Sequence, residues 1–217
     1  MHSIFHSQDL HGNVVINFHR NPIDELAPFA RAYHEAGKRL ARNLSDSSGY
    51  RDFDGYPILF LYRHSLELYL KAIVYHGAQL LHLLDAGSLD TSSLFLNHRL
   101  SSLLPAVNAV FKGLAWTWKS GVTGLNSFDE FISIVQQIED LDRDSYSFRF
   151  PTNKKGSAAL KHHTIVNPIA FALNMDPILE LLDVVVLDLH EKFDASAEAI
   201  FEIQKMVRQL DREFDPT

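Results

Sequence analysis

The residues able to do chemistry concentrate in Tyr62-Arg63-His64-Ser65-Leu66-Glu67-Leu68-Tyr69-Leu70-Lys71. On a helix Arg63, Glu67 and Lys71 recur at intervals of four and stack along one face with alternating sign. Two arrangements answer to that pattern. In one, the three side chains form a salt-bridged helix face with His64 hydrogen-bonded beside it, each exposed pair contributing about 0.3–0.5 kcal/mol. In the other, Glu67 orients Arg63 to grip a phosphate, Lys71 adds positive charge, and His64 carries a proton. A second basic group, Arg149, Lys154 and Lys155, stands beside Phe148 and Phe150. Cations that track a nucleic-acid backbone and rings that stack a base are the parts of a single-strand binding surface. The competing arrangement makes the phenylalanines core anchors and the lysines solvated.

Other chemistries lack their residues. With Cys at 0 there is no disulfide framework, thiolate zinc site or Cys nucleophile. The 12 histidines do not fall into ligand spacing: His34-Glu35 and His190-Glu191 lack a second His one turn on, and the neighbours His162 and His163 point apart in most backbones. No metal and no cofactor are expected. Gly121-Val122-Thr123-Gly124 lacks the Lys of a phosphate loop, and no Gly-x-Ser-x-Gly elbow occurs. A net charge of -7 argues against whole-surface binding to nucleic acid and leaves room for a local basic patch. The first ten residues lack the basic start and apolar run of a secretion signal, and no uninterrupted apolar run reaches membrane-spanning length. A cytoplasmic protein without a membrane partner is the expectation.

The elements that must carry these residues follow from apolar spacing. Residues 1–20 read as a flexible N-terminal arm, with Val14 to Phe18 as an extended piece, and residues 21–217 as a single helical domain. Asn21 and Pro22 start a first helix that ends near Ser45. Pro57 opens a second, which runs at least to Tyr75 before Gly77 permits a break. A third begins at Asn97 or His98 and stops by Gly113. Ser127 followed by Glu130 forms a capping box for a fourth, Phe128 to Leu141. Residues 147–167 read as a small β-hairpin around a basic turn. Asn174, with Pro177 three residues later, starts a long terminal helix with apolar positions from Ile178 to Leu210. The fold class expected is all-α, an antiparallel helical bundle.

With the first motif stand His98-Arg99-Leu100 and Phe148-Arg149-Phe150-Pro151, and in these three segments the chain resembles the HEPN superfamily. Some members share an Arg-His-x-x-Glu-x-x-x-Lys-like helix, a later His-x-Leu helix start and an aromatic Arg-Tyr-Pro-like turn. The resemblance implies a helical bundle, a homodimer, and metal-independent RNA cleavage at the dimer cleft in a toxin–antitoxin or defence setting. Transferred here, it makes Arg63, His64 and Glu67 the catalytic candidates and Lys71, Arg149, Lys154 and Lys155 the RNA- or phosphate-binding ones. One departure stands out. The nuclease signature, an Arg followed four to six residues later by a His, is not met, since His64 follows Arg63 directly and Arg31 reaches His34 after two residues. The expectation is therefore a protein that binds or cleaves RNA or nucleotides, or one that has lost cleavage. The alternative is a non-catalytic protein-interaction or dimerisation module, suggested by the terminal helix, where Val184, Val185, Val186 and Leu187 exceed one apolar stripe.

Overall fold

A computed structural model of the chain describes residue 14 and residues 21–46, 49, 52–153, 155–160 and 163–214. The arm expected over residues 1–20 lies outside the described residues, apart from the exposed Val14.

Local capping chemistry sets the first helix. The Asn21 side-chain oxygen accepts the Ile23 N–H at 3.4 Å, and Pro22 has no N–H to satisfy. A 3-10 turn, Pro22–Glu25, leads into α1, Leu26–Asp46. Only one face of α1 is buried, through Ala27, Ala30, His34, Gly37, Ala41 and Leu44, which is the spacing of an amphipathic helix. α2, Gly55–Leu83, is apolar nearly all round and occupies the centre, with Tyr62, Leu66, Tyr69, Leu70, Ile73 and Leu80 buried.

α2 does not break at Gly77. The glycine serves close packing instead: a Cβ there would lie 2.4 and 2.5 Å from the two methyls of Val110 on α3, Leu104–Gly113. Gly77→Ala is accordingly expected to lose about 1–2 kcal/mol in urea unfolding, the overpacking cost exceeding the gain in helix propensity. Adding Val110→Ala should recover part of that loss, and two costs that simply add would refute the contact. α3 itself starts at Leu104 and not at His98, because residues 97–103 are held in turns by Ser102 Oγ on Asn97 Oδ1 and Arg99 O, and by Ser101 N on Glu139.

α4, Phe128–Asp142, begins at its capping serine, whose Oγ accepts the Glu130 N–H at 3.1 Å; the Glu130 carboxylate reaches back to the N–H of Asn126. The expected hairpin over 147–167 reduces to one antiparallel bridge, Thr152 with Ala158, and no strand occurs among the described residues. The Asn153 side chain takes the N–H groups of Lys155 and Ser157 and curls the segment into a turn with Gly156 at φ +77.

α5, Pro168–Phe214, starts six residues before Asn174, because Asn167 accepts the N–H groups of Ile169 and Ala170 at 3.0 Å and Pro168 follows as the first helical residue. Pro177 falls inside it. An interior proline costs about 3 kcal/mol in helix formation, and the buried Met175, Ile178, Leu179 and Leu182 on either side hold the helix against that loss. At about 1.5 Å per residue, its 47 residues extend about 70 Å.

The architecture is an all-α bundle with a continuous core to which all five helices contribute. α1 runs antiparallel to α2, with Ala30 beside Ser65 and Gly37 beside Tyr62. It is pinned to α5 by Arg31 on Asp183 and Lys38 on Glu180. α2 and α5 run in the same direction, from Gly55 beside Pro168 to His76 beside His190, since residues 84–167 carry the chain back to its starting end. No helix among the described residues is long and apolar enough to cross a membrane.

Candidate functional site

The alternating ladder on α2 exists, and it faces inward. Arg63 is 0 % exposed and donates from Nη1 to Glu67 at 3.0 Å, from Nε to the Asp142 carbonyl at 3.0 Å, and from Nη2 to the His98 carbonyl at 2.6 Å. Glu67, 1 % exposed, accepts at its other oxygen from Lys71 Nζ and His98 Nδ1, both at 2.8 Å. Asp142, also buried, lies 3.4 Å from Arg63 Nε and takes the N–H groups of Tyr146 and Ser147 at 2.6 and 2.7 Å. Two cations, Arg63 and Lys71, thus balance two carboxylates, with His98 at the edge. Burial alone would push the Glu67 carboxyl up, but Lys71, His98 and Arg63 together hold it below its ordinary range.

This cluster ties α2 to the turn around His98 and to the turn after α4. Arg63 and Glu67 are enclosed by their partners, and Lys71 is almost entirely so. The roles read for them from the sequence, gripping and orienting a phosphate, need a guanidinium that meets a ligand. Arg63 meets only protein. Of the two arrangements weighed for the ladder, the salt-bridged one matches this geometry, inside the bundle and not on its surface.

His64 and Arg149 sit elsewhere. His64 stacks on Phe60 with ring centroids 5.5 Å apart and an angle of 9°, and meets the edge ring of Tyr33 at 4.6 Å. Its partial burial lowers its pKa, and the nearby Arg63 acts in the same direction, so it is neutral at pH 7. The Arg149 guanidinium lies 5.6 Å above the Phe60 ring and 5.7 Å from that of Phe150, with Nε donating to the Ser145 carbonyl at 2.6 Å. Phe150 is 46 % exposed and packs on Tyr146, while Phe148 is buried. A continuous strip therefore runs Tyr33, His64, Phe60, Arg149, Phe150. Of the two phenylalanines flanking Arg149, one is buried and the other is partly exposed.

Comparison with family models, with curated proteins and with solved structures finds no match.

Lys155 is exposed in the Asn153 turn with no side-chain contact to the strip among the described residues, and Lys154 lies outside them. No group of three or more His, Asp or Glu able to hold a metal occurs among the described residues. Sequence reasoning missed Asp142, Phe60 and Tyr33. Phe60 had a usable signal, being one helical turn before His64; Asp142 and Tyr33 come from distant elements and had none. On the far flank of α5, Trp116, Trp118, Leu181, Val184 and Leu187 line an apolar groove of about 670 Å³.

Proposed function

We propose that this chain is a HEPN-like helical protein that binds single-stranded RNA or nucleotides on the strip Tyr33, His64, Phe60, Arg149 and Phe150, without cleaving them. One observation carries the reading: an exposed arginine lies between the Phe60 and Phe150 rings, in line with the His64 imidazole. Ring faces stack any base, and a guanidinium beside them holds the backbone phosphate. Cleavage is left out because Arg63 is sealed, so His64 would act without the guanidinium that was to hold the phosphate. The defence or toxin–antitoxin setting rests on the HEPN resemblance alone. With few cations involved on an acidic chain, binding should depend weakly on salt.

Fluorescence anisotropy with labelled single-stranded RNA, without metal, tests this. Arg149→Ala and Phe150→Ala are each expected to weaken binding about tenfold, corresponding to the 1–3 kcal/mol typical of a base–aromatic stack, while Lys155→Ala changes it little. Absence of binding by the unaltered protein ends the proposal. Cleavage of that RNA, abolished by His64→Ala, would overturn its non-cleaving part. The second reading, a protein-interaction or dimerisation module, is favoured by the bare apolar residues at the end of α5.

A further inference from the structure

The segment after α3 and one flank of α5 build a cleft that neither the ladder nor the strip uses. Beyond α3 the chain reverses at Ala115, φ 54, and the Trp116 N–H returns to the Phe111 carbonyl at 2.8 Å. That reversal sets the Trp116 ring edge-on to Phe111 at 5.5 Å, and Trp118 stacks on the same ring at 4.2 Å and 12°. Trp118 Nε1 donates to Asn108 at 3.3 Å, so α3 fixes the aromatic wall. The α5 wall is apolar through Leu181, Val184 and Leu187, with Val184 and Leu187 still exposed. The cleft between them holds about 670 Å³, inside the range of about 300–1,000 Å³ typical of small-molecule sites.

We infer that this cleft binds an amphipathic cation, a small molecule with an apolar body and an ammonium or guanidinium head. Charge selects the occupant. The ionised side chains in the lining are Asp188 and Glu191, both acidic and both at the C-terminal end of the α5 wall. Lys192 marks the same end: its Nζ lies 3.5 Å from Asp188 and 5.9 Å from the centre of the Trp116 ring. A cation of the chain itself thus rests where a carboxylate meets a ring face, at the outer reach of a cation–π contact. Glu191 makes no ion pair among the described residues, which leaves a carboxylate over for a ligand's head. From Leu181 to Glu191 the α5 wall extends about 15 Å, room for an apolar body along Leu181 and Val184 with its head at the acidic end. An amphiphile with an anionic head would meet two like charges there. The inference stands independently of RNA binding, since the strip lies on α1, α2 and the 146–150 turn.

The chain has two tryptophans and both line the cleft, so intrinsic fluorescence reads its occupancy directly. The full chain is titrated with octyltrimethylammonium chloride below its micellar concentration, with sodium octanoate, and with tetramethylammonium chloride. The first is expected to give a saturable shift in emission and a raised melting temperature. Octanoate should bind about tenfold more weakly, and the head without a tail should give no shift. Asp188→Asn combined with Glu191→Gln should weaken octyltrimethylammonium about tenfold, while Lys192→Gln should strengthen it by removing the internal competitor. Equal binding of octanoate, or a double variant that binds the cation as well as the parent, overturns the charge selection. No saturable shift, or a shift accompanied by a falling melting temperature, overturns the site. Emission that changes on simple dilution of the protein would mean that a second copy covers the rings, and a basic amphipathic peptide that shifts it at far lower concentration would make the occupant a helix; either result overturns the small-molecule occupant.

Discussion

Glu67→Ala is expected to lower the free energy of unfolding by about 3–5 kcal/mol, the cost of leaving buried charge without its counter-charge. The removed carboxylate is the common acceptor for Arg63, Lys71 and His98. Without it two cations remain enclosed near a single carboxylate, Asp142, and the turns that Arg63 clasps through the carbonyls of Asp142 and His98 lose their anchor. Arg63→Ala should cost a similar amount for the mirrored reason, and the two losses should be far from additive because both break one network. Replacing Arg63, Glu67 and Lys71 together by Met, Leu and Met should be less damaging than Glu67→Ala alone, since an apolar set of similar volume strands no charge. Urea unfolding of the set checks this. The exposed pair Arg99 and Asp144 is the internal control, and its removal should leave stability unchanged. A Glu67→Ala protein as stable as the parent would mean that the cluster does not hold the bundle together.

Mild acid should destabilise the protein well before its carboxylates titrate. His76 on α2 is 5 % exposed and its ring meets that of His190 on α5, centroids 4.0 Å apart at 86°. Neither Nε2 has a hydrogen-bond partner. Burial first, and then the neighbouring His190, pull the His76 pKa down from 6.5 to about 4, against small opposing effects of Gln79 and Asp24. The unfolded chain therefore takes up this proton first. Stability is complete above pH 6.5 and declines as pH falls towards 4, by about 1.4 kcal/mol per pH unit and by about 3 kcal/mol across the window. His64, also held down by burial, adds to the same decline. Glu67, whose folded pKa lies below 4.5, contributes stability that is lost only at still lower pH. His76→Phe should flatten most of the slope between pH 6.5 and 4 and leave the residue due to His64. Equal slopes in the parent and the variant would show that the buried imidazole is not the source.

The helices were legible in the sequence wherever their causes are local. Asn21-Pro22 and Ser127 with Glu130 cap by contacts within four residues, and the apolar spacing of α1 and α4 requires no knowledge of the partner. Where two local signals compete, spacing alone chose wrongly. Asn174 and Pro177 resembled a helix start, but Asn167 and Pro168 make it, because the apolar residues around Pro177 are held by the core. Gly77 had the form of a break and proved to be a contact point, since only α3 reveals that Val110 fills the space a side chain would need.

The same division separates the ladder from the strip. The spacing of four already placed Arg63, Glu67 and Lys71 in one row, since helical periodicity is a property of the chain itself. Whether that row met water depended on His98 and Asp142, which lie 31 residues beyond Glu67 and 79 beyond Arg63 respectively. Burial of a charge is a sum over every neighbour, so no local pattern distinguishes a solvated face from a sealed cluster. Arg149 likewise carried an aromatic signature in its own segment, but Phe60 and His64 came beneath it only through the packing of the 146–150 turn on α2.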